Sequence, residues 1–104
     1  MNELKIIVPM LKQLLKEMEI VSSQGSGYYT CVPFLKRYNK LLQEAQRIFL
    51  QSNAVSVINT FEVLPETDPK DPSEKSKVLL SIRVETSQLI TLLETVTQQE
   101  EHKI

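Results

Sequence analysis

Residues able to do chemistry are few in this chain, and they are scattered. Its 104 residues hold one histidine, His102, and one cysteine, Cys31. A catalytic base needs a pocket and an orienting partner. His102 stands in the polar stretch 98–104, which promises neither, and it reads as a solvated histidine. Cys31 has no second cysteine to bridge to, and a reactive thiol there would need a nearby base or helix start to depress its pKa. With His102 set aside, no Cys–His nucleophile or Ser–His–Asp arrangement can be built from the remainder, and one cysteine with one remote histidine does not make a zinc site. Carboxylates gather at Glu66, Asp68 and Asp71, and at Glu100 and Glu101. The first group lacks the glycine turn and the distal bidentate acid of a calcium loop, so it reads as a solvated acidic loop. Gly25-Ser26-Gly27 lacks the lysine and the preceding strand of a phosphate loop. We therefore expect no catalytic, cofactor-binding or metal-binding residues, and a protein that is not an enzyme.

Two segments could bind instead of react. Tyr28-Tyr29-Thr30-Cys31 follows the glycine turn, and tyrosine is favoured at interfaces because it offers an apolar ring with a polar tip. Phe34-Leu35-Lys36-Arg37-Tyr38-Asn39-Lys40 mixes aromatics with bases, as binders of single-stranded nucleic acid do. Helical spacing sends Phe34 and Tyr38 inward and Arg37, Lys40 and Arg47 outward, which favours a core stripe with a solvated basic edge. Tyr28, Tyr29, Cys31, Arg37 and Lys40 are the candidate partner-binding residues. A ligand pocket lined by Tyr28, Tyr29, Cys31 and Tyr38 is the alternative, and a nucleic-acid accessory role for Arg37, Lys40 and Arg47 is a second one.

Composition sets the wider bounds. The chain is 41% hydrophobic and 24% charged, which suits one globular domain and excludes a disordered chain. Its formal net charge is -1, but residues 1–50 carry a net +3 and residues 51–104 a net -4. A nucleic-acid binder usually carries a basic domain, so the asymmetry is better read as attraction between halves of one chain or between chains. The apolar run Ile6–Leu11 is closed by Lys12, far short of the roughly 20 residues that cross a bilayer. No secretory cleavage pattern follows it. A cytoplasmic protein without membrane contact is expected.

The elements that must position these residues follow from hydrophobic spacing. Leu4, Ile7, Leu11, Leu14, Met18 and Val21 alternate three and four apart, the mark of one helical face. Val8 and Leu15 widen it. Pro9 either kinks this helix or starts it, leaving residues 4–8 extended. Asn2 is a candidate N-cap. Leu35, Tyr38, Leu42, Ala45 and Phe49, flanked by Phe34, Leu41 and Ile48, form a second stripe three rows wide, which implies two neighbouring elements. Asp71-Pro72-Ser73-Glu74 has the form of a capping box, and Leu79, Ile82, Thr86, Leu89, Leu93 and Val96 follow it with helical period.

The expected fold is all-α, a three-helix up-down-up bundle in one domain, with helices over about 2–21, 33–60 and 72–98 and loops over 22–32 and 63–71. The alternative is α+β: 55–63 and 78–84 also alternate with period two, which would suit a hairpin packed on helices. Ile6, Ile20, Leu50, Leu80 and Val84 fall outside the helical stripes, and such leftovers on a surface mark an interface. A non-enzymatic interaction module that docks on another protein or on itself, as a homodimer for example, is the functional expectation.

Overall fold

The computed structural model describes residues 3–25 and 29–101. Four α-helices form: α1, Leu4–Ser23; α2, Val32–Ile48; α3, Val55–Ile58; and α4, Pro72–Glu101. A 3-10 turn, Phe49–Gln51, follows α2 directly. Among the described residues there is no strand, so the fold is all-α and the hairpin alternative falls. Its two segments lie in α3 with the chain after it, and in the interior of α4. The period-two pattern at 78–84 had no structural meaning, since Leu80 and Val84 are exposed while Ile82 is buried.

Each long helix buries the stripe its spacing announced, except that Val21 at the end of the α1 stripe is half-buried. Leu4, Ile7, Leu11, Leu14 and Met18 are the buried residues of α1. Pro9 lies inside the helix, which is continuous from residue 4; residues 4–8 are not extended. An interior proline costs about 3 kcal/mol, offset here by two buried residues on its N-terminal side, Leu4 and Ile7. The expected cap Asn2 lies outside the described residues, and Glu3 holds the N-cap position without a side-chain hydrogen bond. At the other end Gly25 takes φ 94°, the left-handed conformation that glycine adopts without steric cost and that ends helices.

α4 begins at Pro72 as its cap signature required. Asp71 Oδ1 accepts from the Ser73 amide at 2.9 Å. The reciprocal half of the box is replaced by an ion pair, Glu74 Oε1 to Lys77 Nζ at 3.4 Å. The many hydroxyl residues of α4 are tolerated because they bond back one turn. Buried Thr86 donates to the Ile82 carbonyl at 2.6 Å, and Thr91, Thr95 and Thr97 do likewise.

The second helix is shorter than its apolar spacing implied. It ends at Ile48, tightens into the 3-10 turn, and stops where Ser52 turns extended (φ -96°, ψ 152°). Ser52 Oγ accepts from the Ala54 amide at 3.0 Å. That local bond competes with helix propagation, which is why 33–60 is not one helix.

Connectivity is the second difference. Lys12 Nζ meets Glu94 Oε2 at 3.2 Å, Leu4 neighbours Gln98, and Glu19 neighbours Arg83. α1 and α4 are therefore antiparallel. Cys31 Sγ approaches the Lys75 carbonyl at 3.7 Å, and Leu35 shares a crevice with Val78 and Ile82, so α2 and α4 are parallel. The order is up-down-down. Between them the chain from Asn59 to Asp71 returns along α2 as an irregular strap without helix or strand. Thirteen residues at up to about 3.3 Å each can reach some 40 Å. The 17 residues of α2 rise only about 25 Å, so the return is geometrically easy. All three long helices contribute to one buried core, with Ile58 of α3 closing it. The body measures 50 × 22 × 16 Å. Among the described residues no helix is long and apolar enough to cross a membrane.

Candidate functional site

The residues singled out by sequence divide between core and surface. Tyr28 and His102 lie outside the described residues. Tyr29, Cys31 and Tyr38 are buried, the last two completely. Burial takes Tyr29 and Cys31 off the surface that a docking partner would touch. Arg37 and Lys40 are exposed on α2, so the four described partner-binding candidates divide between core and surface. Arg47 is engaged by its own helix: its Nε and Nη2 both donate to Glu44 Oε2, at 3.1 and 3.0 Å.

Around Cys31 a small polar cluster ties three elements. The Cys31 amide, at the start of α2, donates to Asp68 Oδ1 at 3.2 Å, and Lys75 Nζ of α4 donates to the Tyr29 carbonyl at 3.2 Å. Burial pushes the Cys31 thiol above its ordinary value; the Asp68 charge adds to this and the Lys75 charge opposes it. A thiol held protonated is a poor nucleophile. Burial also raises the Tyr38 phenol, with the Glu85 charge as a smaller cause, and its hydroxyl has no hydrogen-bond partner among the described residues.

The acidic loop is likewise structural. Glu66 accepts from Asn39 Nδ2 at 3.2 Å, Asp68 from the Cys31 amide, and Asp71 from the Ser73 amide. Each carboxylate faces a different amide, so they do not converge as ligands of one cation.

What the surface does offer is the outer seam between α1 and α4. It carries two depressions. One, of about 290 Å³, is lined by Leu4, Lys5, Val8, Pro9, Glu94, Thr97 and Gln98. The other, of about 300 Å³, is lined by Leu15, Glu19, Leu80, Arg83, Val84 and Ser87. No residue of α2 lines either, and the Lys12–Glu94 bridge lies on the same seam. Leu80 and Val84 are 56% and 45% exposed at the edge of the second depression, next to half-buried Leu15. Of the apolar residues left over by helical spacing, all five are exposed, but they do not make one patch. Ile6 lies at the end of α1 that meets the C-terminal part of α4, whereas Leu80 and Val84 border the opposite end of that seam.

Sequence reasoning missed Asn39, the one buried amide of α2. Its Nδ2 donates to the Leu64 carbonyl at 2.8 Å and its Oδ1 accepts from the Leu64 amide at 2.8 Å. Gln46, two turns on, donates to the Phe61 carbonyl at 2.9 Å. A signal was present: Asn39 stands four residues after Leu35 and three before Leu42, on the apolar spacing of the helix.

The arrangement defines a small all-α bundle with an open two-helix seam and a side-chain-held strap. No known protein family, curated protein or solved structure matches the chain.

Proposed function

We propose that this protein is a non-enzymatic interaction module that seats a helix on the outer α1–α4 seam, the first such partner being a second copy of the chain. The observation that carries this reading is Leu80 and Val84, large apolar side chains left exposed on a seam whose floor includes Leu15. A helix laid in the seam buries them, and burying a Leu or Val contributes roughly 1.5–3 kcal/mol. The flanking Lys12, Glu19, Arg83 and Glu94 supply charges of both signs to fix its register. A cytoplasmic setting suits the buried, unpaired thiol of Cys31.

The ligand-carrier reading is weaker, because Tyr29, Cys31 and Tyr38 pack in the core and none lines the depressions described. Nucleic-acid binding through Arg37, Lys40 and Arg47 is weaker too, given the engagement of Arg47 with Glu44. Sedimentation velocity over a wide concentration range tests the self-association. A concentration-dependent dimer that the pair L80D and V84D weakens at least tenfold supports it, and a strict monomer at high concentration removes it.

A further inference from the structure

The strap is bound to its own protein as an extended peptide is bound to a receptor. From Glu62 to Pro69 it makes one backbone–backbone hydrogen bond, Thr67 to Pro65, while side chains of α2 hold it from below. Asn39 takes both backbone groups of Leu64, as a neighbouring strand would. The same amide reaches Glu66 Oε2 two residues on. Two further on, Asp68 sits on the amide that opens α2, where the helix N-terminus favours an anion. The furrow thus reads an aliphatic residue, a proline, and acids at the second and fourth positions after the aliphatic one.

That internal ligand is shallowly buried and fits incompletely. No residue from Asn59 to Lys70 is buried; Phe61, Leu64 and Pro69 are half-buried and the rest exposed. Beneath it a crevice of about 230 Å³ remains, lined by Leu35, Leu64, Val78 and Ile82 among others. The buried residues of the common core all lie outside the strap, whose Phe61 and Leu64 pack half-buried against it, and segments with so little buried surface open first.

We propose that the α2–α4 furrow is a binding site for an extended aliphatic–proline–acid segment of a partner protein, kept closed by residues 59–69 acting as an internal competitor. The proposal rests on the interaction-module reading but uses a different surface from the α1–α4 seam. A partner segment with a side chain larger than leucine at the Leu64 position fills the crevice that the strap leaves.

A fluorescent peptide with the sequence of residues 60–69 is the probe, titrated into the full chain. Detaching the strap with Phe61→Ser and Leu64→Asp leaves the furrow's own residues unchanged. The detached variant binds the peptide at least tenfold more tightly than the wild type, a phenylalanine at the Leu64 position of the peptide strengthens binding further, and adding Asn39→Ala abolishes the gain. Equal binding by wild type and detached variant, or indifference to Asn39, overturns the proposal. If the detached variant loses its helical circular dichroism, hydrogen exchange of the wild type decides. A Leu64 amide that exchanges well before the core amides of α2 and α4 supports an opening strap, and one that exchanges only with them overturns it. Failure here with a dimer dependent on Leu80 intact sinks the furrow alone; a strict monomer that binds the peptide sinks self-association alone.

Discussion

Asn39 and Leu64, 25 positions apart, exchange two hydrogen bonds of 2.8 Å, so that one side-chain amide satisfies both backbone polar groups of one strap residue. Asn39 is only 5% exposed. A buried amide without partners would be costly, and the Leu64 backbone is the partner that makes it tolerable. The same pair fixes the register of the strap on α2.

Asn39→Ala removes both bonds and the contact with Glu66. At about 0.5–1.5 kcal/mol for each of the three hydrogen bonds, the expected loss is about 1.5–4.5 kcal/mol in urea unfolding. Asn39→Asp keeps the acceptor for the Leu64 amide but sets a carboxylate against Glu66. Its loss is larger at neutral pH than under acid conditions, where protonation restores a donor.

Alkali destabilises this fold for a definable reason. Cys31 and Tyr38 are both neutral when protonated, and burial raises both pKa values in the folded state. Their contributions are fully present below the ordinary values of 9.0 and 10.0 and are lost as pH rises through those values toward the folded ones, because the unfolded chain ionises first. Thermal melts should therefore fall above those values, and Cys31→Ser and Tyr38→Phe should each flatten the decline.

Tyr38→Phe has a second consequence at neutral pH. The Tyr38 hydroxyl is buried with no partner among the described residues, and leaving such a group desolvated costs about 1–3 kcal/mol. Removing it leaves the ring in place, so the midpoint of urea unfolding should hold or rise. A fall of more than about 1 kcal/mol would reveal a bond made by that hydroxyl.

Thiol labelling gives a readout of local opening. Cys31 is fully buried beneath Lys75 and Asp68, and its raised pKa suppresses the thiolate. Labelling by an aromatic disulfide at neutral pH should run at least about tenfold slower than for an unfolded cysteine and accelerate in sub-denaturing urea.

Two polar contacts on the surface should prove unequal. Asp71→Ala removes the side-chain cap of α4 and should cost about 1 kcal/mol. Lys12→Ala breaks the α1–α4 bridge, but both partners are roughly half exposed, at 55% and 42%, and exposed pairs contribute about 0–1 kcal/mol. Urea unfolding of the two variants checks the order.

What the sequence determined by itself is local. The three-and-four spacing of Leu4 to Met18 and of Leu79 to Val96 dictated which faces are buried, because helix geometry alone puts those side chains in a row. Asp71-Pro72 dictated where α4 starts, since a capping carboxylate and a proline without an amide hydrogen suit that position alone. The end of α2 was less legible: apolar residues continue past Ile48 in helical order, and only the short-range bond of Ser52 stops them. Tertiary structure decided the rest. Whether α4 runs with or against α1 is not encoded in either stripe, which buries equally well in both directions. The strap is long enough to return along α2, which lets α4 run against α1, and the amide of Asn39 at Leu64 holds that return in register. Long-range pairing of that kind depends on where the chain places two distant residues, and so does the exposure of Leu80 and Val84, which spacing alone could only set aside as unassigned.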